Sequence, residues 1–205
     1  MLDLLENKAK PLYQRSTFKI HVGPLCFSDA VKMLSGFDNQ DKVKYLSIFG
    51  TRPYYLERLN KGLDFAANIE SLCFSSSSIL TDAPNMTLPL GYNTNSSYIS
   101  ILIALANHKR KVKEIADSLR VDANACSTYL NRMLEGESIE RRETFYGNRK
   151  TNYCVITDPF IRFYYRLIYP YLPDIERGIG KAVFEASGAI IDGIIHHGFE
   201  DVVDA

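Results

Sequence analysis

Basic and amide side chains recur between positions 109 and 150 at intervals that suit contact with a nucleic-acid duplex. Lys109, Arg110, Lys111 and Lys113 come first, Arg132 follows, and Arg141, Arg142, Arg149 and Lys150 close the series. Ammonium and guanidinium groups so placed are phosphate-contact chemistry, because each can neutralise a backbone charge and release a counterion. Between them lie Asn124, Ser127, Thr128 and Asn131, whose donors and acceptors match base edges in a major groove. Glu114, Asp117, Glu135, Glu137, Glu140 and Glu143 are interspersed, so the local excess of positive charge is small and a purely electrostatic grip would be weak.

Three amphipathic helices and a strand pair are needed to present these residues. Ile99, Leu102, Ile103 and Ala106 share one helical face, as do Val112, Ile115, Ala116 and Leu119. Arg120-Val-Asp-Ala makes a turn, with Asp122 as N-cap of a third helix whose Cys126, Tyr129, Leu130, Met133 and Leu134 face inward and which Gly136 closes. Ser138 to Thr144 and Asn152 to Ile156 then read as strands around Tyr146-Gly-Asn-Arg-Lys150, where Gly147 and Asn148 tolerate positive φ. The whole of residues 98–157 is the pattern of a winged helix-turn-helix with a small β-hairpin wing, its third helix in the recognition position.

Other chemistry is missing from the pattern. The 205 residues hold no glycine-rich phosphate loop, metal-ligand cluster or nucleophile motif, so no catalysis by this chain alone is expected. Cys26, Cys73, Cys126 and Cys154 lie far apart without metal spacing and read as small core residues in a reducing compartment. His196 and His197 beside Glu200 and Asp201 suggest a metal site only superficially, since adjacent helical residues point about 100° apart, and an exposed helix end is expected. With 24 basic and 24 acidic residues the net charge is zero, which excludes a histone-like coat protein. The amino terminus is too acidic for a secretory signal and no apolar run approaches the roughly 20 residues that span a bilayer, so a cytoplasmic protein with no membrane partner is expected.

The remaining sequence is mainly helical. Residues 1–27 carry an alternating strand, Phe18-Lys-Ile-His-Val22, with no partner strand before residue 137, which implies pairing with a missing segment. Residues 28–80 read as a helical bundle: one helix from Ser28, another from Asp41, a third begun by Pro53 and a fourth over Phe65 to Phe74. Residues 81–97, with prolines and asparagines, read as linker, Ser75 to Ser78 being a helix end running into a loop. In residues 158–205, Asp158-Pro-Phe starts a helix whose Phe160, Phe163, Tyr164 and Leu167 form a core stripe ending at Pro170, and a further apolar helix follows Gly178.

Taken in order, several short motifs form a recognisable series: Pro11-Leu-Tyr-Gln-Arg15, Pro24-Leu-Cys-Phe-Ser28, Phe49-Gly-Thr-Arg-Pro-Tyr-Tyr-Leu56, Asn68-Ile, Tyr98-Ile-Ser-Ile-Leu102, Glu114-Ile-Ala, Tyr129-Leu, Ile139-Glu-Arg-Arg142, Tyr153, Asp158-Pro-Phe-Ile-Arg-Phe-Tyr-Tyr-Arg166 and Gly198-Phe-Glu200. The series resembles the carboxy-terminal half of the archaeal-type AAA+ (DEXX-box) ATPases, in which a P-loop core precedes a helical lid, a winged helix and a nuclease-like domain of unknown function. The resemblance implies that 1–27 is the end of an ATPase core, 28–80 a lid and 158–205 the start of a truncated nuclease-like domain. Walker residues have no counterpart here, so ATP and magnesium would be bound only if a partner supplied the core. Arg15 matches a family arginine and would face nucleotide only in that setting, and Glu200 matches the glutamate that opens the nuclease-like domain. Thr51 replaces the family's second lid glycine.

The expectation is therefore a non-catalytic module that binds double-stranded DNA, or an ATPase-core protein or homologous ATPase. Two alternatives remain: a subunit of an ATPase completed in trans, and a free-standing winged-helix transcriptional regulator.

Overall fold

The computed structural model describes the backbone of residues 23–146 and 149–203, and the side chains of these except 144–151 and 199–203. The protein is mainly helical, with one two-stranded antiparallel hairpin among the described residues; the strand expected at 18–22 lies outside them. Four short helices come first among the described residues: α1 (Phe27–Met33), α2 (Asn39–Phe49), α3 (Pro53–Leu56) and α4 (Phe65–Cys73). The residues that begin α2 and α4 explain why they start where they do. Asp38 accepts a hydrogen bond from the Asp41 amide at 2.8 Å, and Asp64 accepts one from the Ala67 amide at 2.8 Å, each cap contributing ~1 kcal/mol. Thus α2 begins before Asp41, and α1 is preceded by Cys26, not capped by Ser28.

Asn68 shows how the bundle fixes its own loop. Buried at the base of α4, it has the Tyr45 hydroxyl and the carbonyls of Asn60, Leu63 and Asp64 within reach of its two N–H groups, while its Oδ1 accepts from the Asn60 amide at 2.8 Å. A polar side chain this deep is tolerated because both ends of its amide are paired.

Residues 81–97, expected as linker, are folded. A 3-10 turn at Ile79–Asp82 runs into α5 (Ala83–Thr87), burying Leu80, Ala83 and Pro84. Single turns have too few residues to show helical periodicity, and Pro84 is accommodated in a first turn where its missing N–H costs nothing. Tyr92 then stacks on Tyr98 at 4.2 Å and donates to the Arg132 carbonyl, fastening this stretch to the helices beyond it.

Next come α6 (Ser96–Ala106), α7 (Val112–Leu119) and α8 (Ala123–Glu135), followed by β1 (Ile139–Tyr146) and β2 (Arg149–Ile156). The strands pair from Ile139 opposite Ile156 to Tyr146 opposite Arg149, longer than the sequence suggested. Gly136, expected to take the left-handed conformation closing the third helix, has φ −85°, and Glu137 takes that conformation instead at φ 53°. Space, not φ, restricts Gly136, since a Cβ there would lie 3.1 Å from Pro89 and from the Tyr92 hydroxyl.

After the hairpin, α9 (Pro159–Phe163) continues as a π turn (Tyr164–Ile168) and a 3-10 turn (Tyr169–Tyr171). Pro170 therefore distorts the helical path without ending it. A 3-10 turn and a wide turn absorb the missing donor, and α10 (Leu172–Asp174), a second π turn and α11 (Gly180–Ala186) follow. Phe160, Phe163, Tyr164 and Leu167 are core residues, buried together with Phe49 and Tyr55.

Two sequence motifs far apart in the chain meet here. Asp158 caps α9 through the amides of Phe160 and Ile161, pairs with Arg52 Nε at 2.7 Å and accepts from the Tyr55 hydroxyl at 3.2 Å. Phe160 stacks on Phe49 at 5.4 Å and meets Tyr55 at 4.7 Å. Gly50, at φ 63°, lets the chain turn against the Pro159 ring, which a Cβ would approach to 3.0 Å.

The last helix, α12 (Gly188–Val203), lies along α2. Gly198 packs directly on Ser47: a Cβ at 198 would sit 2.7 Å from the Ser47 Cβ and 2.8 Å from its carbonyl oxygen. Gly198→Ala is therefore expected to lower the thermal midpoint, because overpacking costs ~1–3 kcal/mol whereas helix propensity returns at most ~1 kcal/mol. An unchanged or raised midpoint would contradict this packing.

Candidate nucleic-acid interface

Asp122 carries α8 in the orientation that matters. Its carboxylate accepts from the Asn124 and Ala125 amides at 2.7 and 3.3 Å, and Cys126, Leu130 and Met133 anchor the inner face. Asn124, Thr128 and Asn131 follow at i, i+4 and i+7 on the opposite face and are all exposed, with Ser127 half-exposed beside them. Thr128 donates back to the Asn124 carbonyl at 3.0 Å. This face is made of uncharged hydrogen-bonding groups.

The helix start also limits what the face can hold. Because Asp122 already occupies the first free amides, and its negative charge offsets the helix dipole, the α8 N-terminus is not itself a phosphate seat. Lys109, Lys111 and Lys113 stand exposed at the start of α7. Glu114, in contrast, is spent on structure: its carboxylate takes the Arg110 and Lys111 amides, which hold it below the usual carboxylate range. Arg132 lies at the margin of the α8 row beside Tyr98, with which it shares a hydrogen bond.

Strand alternation divides the hairpin arginines. Arg141 lies opposite Cys154 and donates to Asn131 Oδ1 at 3.2 Å, so it belongs with the α8 face. Arg142, opposite Tyr153, points to the other side, where it pairs with Glu140 at 2.6 Å. The sequence grouped the two as one wing patch, and the structure does not. The side chains of Arg149 and Lys150, and all of Arg15, lie outside the described residues.

On that other side the structure brings Arg142 together with residues the sequence had not singled out as a site. A cleft of about 310 Å³ is lined by Arg52, Arg142, Arg162, Asp158, Ser47 and Thr51, among others. Arg166, one turn beyond Arg162, reaches His108 Nε2 at 2.7 Å, and Arg110 Nη2 lies 3.4 Å from His108 Nδ1. The i, i+4 spacing of Arg162 and Arg166 was the available signal. His197, expected at an exposed helix end, is exposed, yet its ring meets His108 at 5.4 Å. No group of three or more His, Cys, Asp or Glu able to hold a metal occurs among the described residues. Of the cysteines, three are buried, while Cys26, expected in the core, is exposed beside Asp29. No helix of the described residues is long and apolar enough to cross a membrane.

No family model matches the sequence, and no solved structure matches it. The chain is 29% identical over 171 residues to an uncharacterized protein of Methanocaldococcus jannaschii, a match covering 82% of this chain and 38% of that protein. The chain thus spans well under half the length of the relative it matches.

Proposed function

We propose that residues 98–157 act as a winged helix that binds double-stranded DNA, within a chain resembling the carboxy-terminal, non-catalytic half of an archaeal-type AAA+ ATPase. The observation that carries the reading is the row of Asn124, Thr128 and Asn131 on α8, turned outward and flanked by Arg141. Amide side chains can pair bidentately with adenine, and Arg141, held by Asn131, adds a charge at the edge of the row. Lys109, Lys111 and Lys113 supply phosphate contacts from α7.

Fluorescence anisotropy with a mixed-sequence duplex tests this. Replacing Lys109, Lys111 and Lys113 together with Gln should weaken binding at low salt and reduce the slope of log K against log salt by up to about 3. Asn131→Ala should weaken binding less, and more for some sequences than others, since base contacts discriminate by ~1–3 kcal/mol each. Binding unaffected by either change would remove the reading. The second reading, docking on an ATPase core, is supported by the nearly neutral α8 face; it predicts ATP turnover only on mixing with a core protein.

A further inference from the structure

We propose that His108, Arg110 and Arg166 form a phosphate-binding site where the α6–α7 turn meets the π turn after α9. His108, at φ 64°, places its imidazole between two guanidiniums, 2.7 Å from Arg166 and 3.4 Å from Arg110.

That arrangement has too many donors. A guanidinium only donates and stays charged at every physiological pH. A neutral imidazole has one accepting nitrogen and one N–H, so in either tautomer one of the two contacts sets donor against donor. Protonating the ring makes both contacts unfavourable. The His197 ring lies 5.4 Å from that of His108, and Arg162 precedes Arg166 by one turn. Burial first, and then Arg166, Arg110, His197 and Arg162, push the His108 imidazole down to about 4.

The guanidiniums are held in place by the fold. Arg110 lies over the Tyr153 ring at 5.4 Å, and its own carbonyl accepts from the Cys154 amide at 2.9 Å, tying it to the hairpin. Glu114 is occupied by backbone amides beside it. Arg166 is half-buried on a helix whose neighbours Tyr165 and Leu167 are core residues. A cluster rich in N–H groups and positive charge takes an anion with several acceptor oxygens. Phosphate fits this better than a carboxylate, because it carries more charge and can engage both arginine forks at once. The same chemistry serves free phosphate and a phosphate within a nucleotide or nucleic acid. It stands apart from the α8 face, on the opposite side of the hairpin.

Titration of the full chain with inorganic phosphate at constant ionic strength, followed through the His108 imidazole resonances, tests the site. Saturable shifts are expected, with affinity at least tenfold weaker in both Arg110→Gln and Arg166→Gln. Arg166→Lys keeps the charge and stem but loses the fork; it should weaken binding severalfold, and it serves if a glutamine variant fails to fold. Competition by a short oligonucleotide would identify phosphodiesters as the source, and its absence a free or terminal phosphate. A linear drift, or equal saturation in the wild-type chain and the Arg110→Gln/Arg166→Gln double variant, would overturn the proposal.

Discussion

Asp158→Ala is expected to destabilise the protein by about 3 kcal/mol, seen as a lower urea midpoint. Removing the carboxylate takes away the cap of α9, the acceptor for the buried Tyr55 hydroxyl and the counterion of Arg52 at one stroke. The cap accounts for ~1–2 kcal/mol, and the buried pair would add up to ~3–5 kcal/mol were both partners desolvated. Arg52 is 38% exposed, however, so water screens its half of the pair and the second figure must be cut to ~1–2 kcal/mol. Asp158→Asn keeps an oxygen for the cap and should cost less than half as much.

The pH dependence of stability separates charge from cap. Burial pushes the Asp158 carboxyl above its ordinary 3.8, with Arg52 and the hydrogen bonds from Ile161, Phe160 and Tyr55 pulling it back. A raised pKa in the folded state means that the fold binds this proton more tightly than the unfolded chain does. The corresponding stability is complete below the unfolded pKa and is lost as pH rises through the folded one. In Arg52→Gln the main opposing influence is gone, so the loss should grow and extend to higher pH. A stability deficit that is small in acid and widens toward neutrality is the expected result; one independent of pH would show that Arg52 does not govern this carboxyl.

Gly180→Ala should be at least as damaging, and its sign is decided by geometry. In a helix, alanine normally gains ~1 kcal/mol over glycine. Here the added Cβ would lie 1.7 Å from the Phe74 carbonyl oxygen and 2.8 Å from its carbon. Both atoms are backbone, so no side chain can rotate away, and α11 must separate from the end of α4. The cost should reach or exceed the ~3 kcal/mol upper end of ordinary overpacking. Gly193→Ala is the control: nothing lies within 4 Å of its Cβ position, so it should be neutral or stabilise by up to ~1 kcal/mol. Equal effects of the two changes would show that the α11–α4 contact is not the one described.

The sequence revealed local features better than relations between segments. Asp122 and Asp158 announced the starts of α8 and α9, because a cap is a property of neighbouring residues. The turns between residues 79 and 87 escaped notice, since one-turn elements have no period to read. Strand alternation alone separates Arg141 from Arg142, but which of them faces α8 depends on a register fixed only by the folded hairpin. The meeting of Arg52 with Asp158, and of His108 with Arg166 and His197, joins residues separated by long stretches of chain, and no short-range pattern encodes it. Arg162 and Arg166 could be placed on one face by spacing, yet their neighbours could not.

Amide chemical-shift mapping on addition of a mixed-sequence duplex is the most direct test of the proposed role. The account predicts perturbations concentrated in the α7 start, the outer face of α8 and Arg141, fading as salt is raised. Shifts confined to residues 28–80, or none at concentrations where a non-specific duplex binder would saturate, would contradict it.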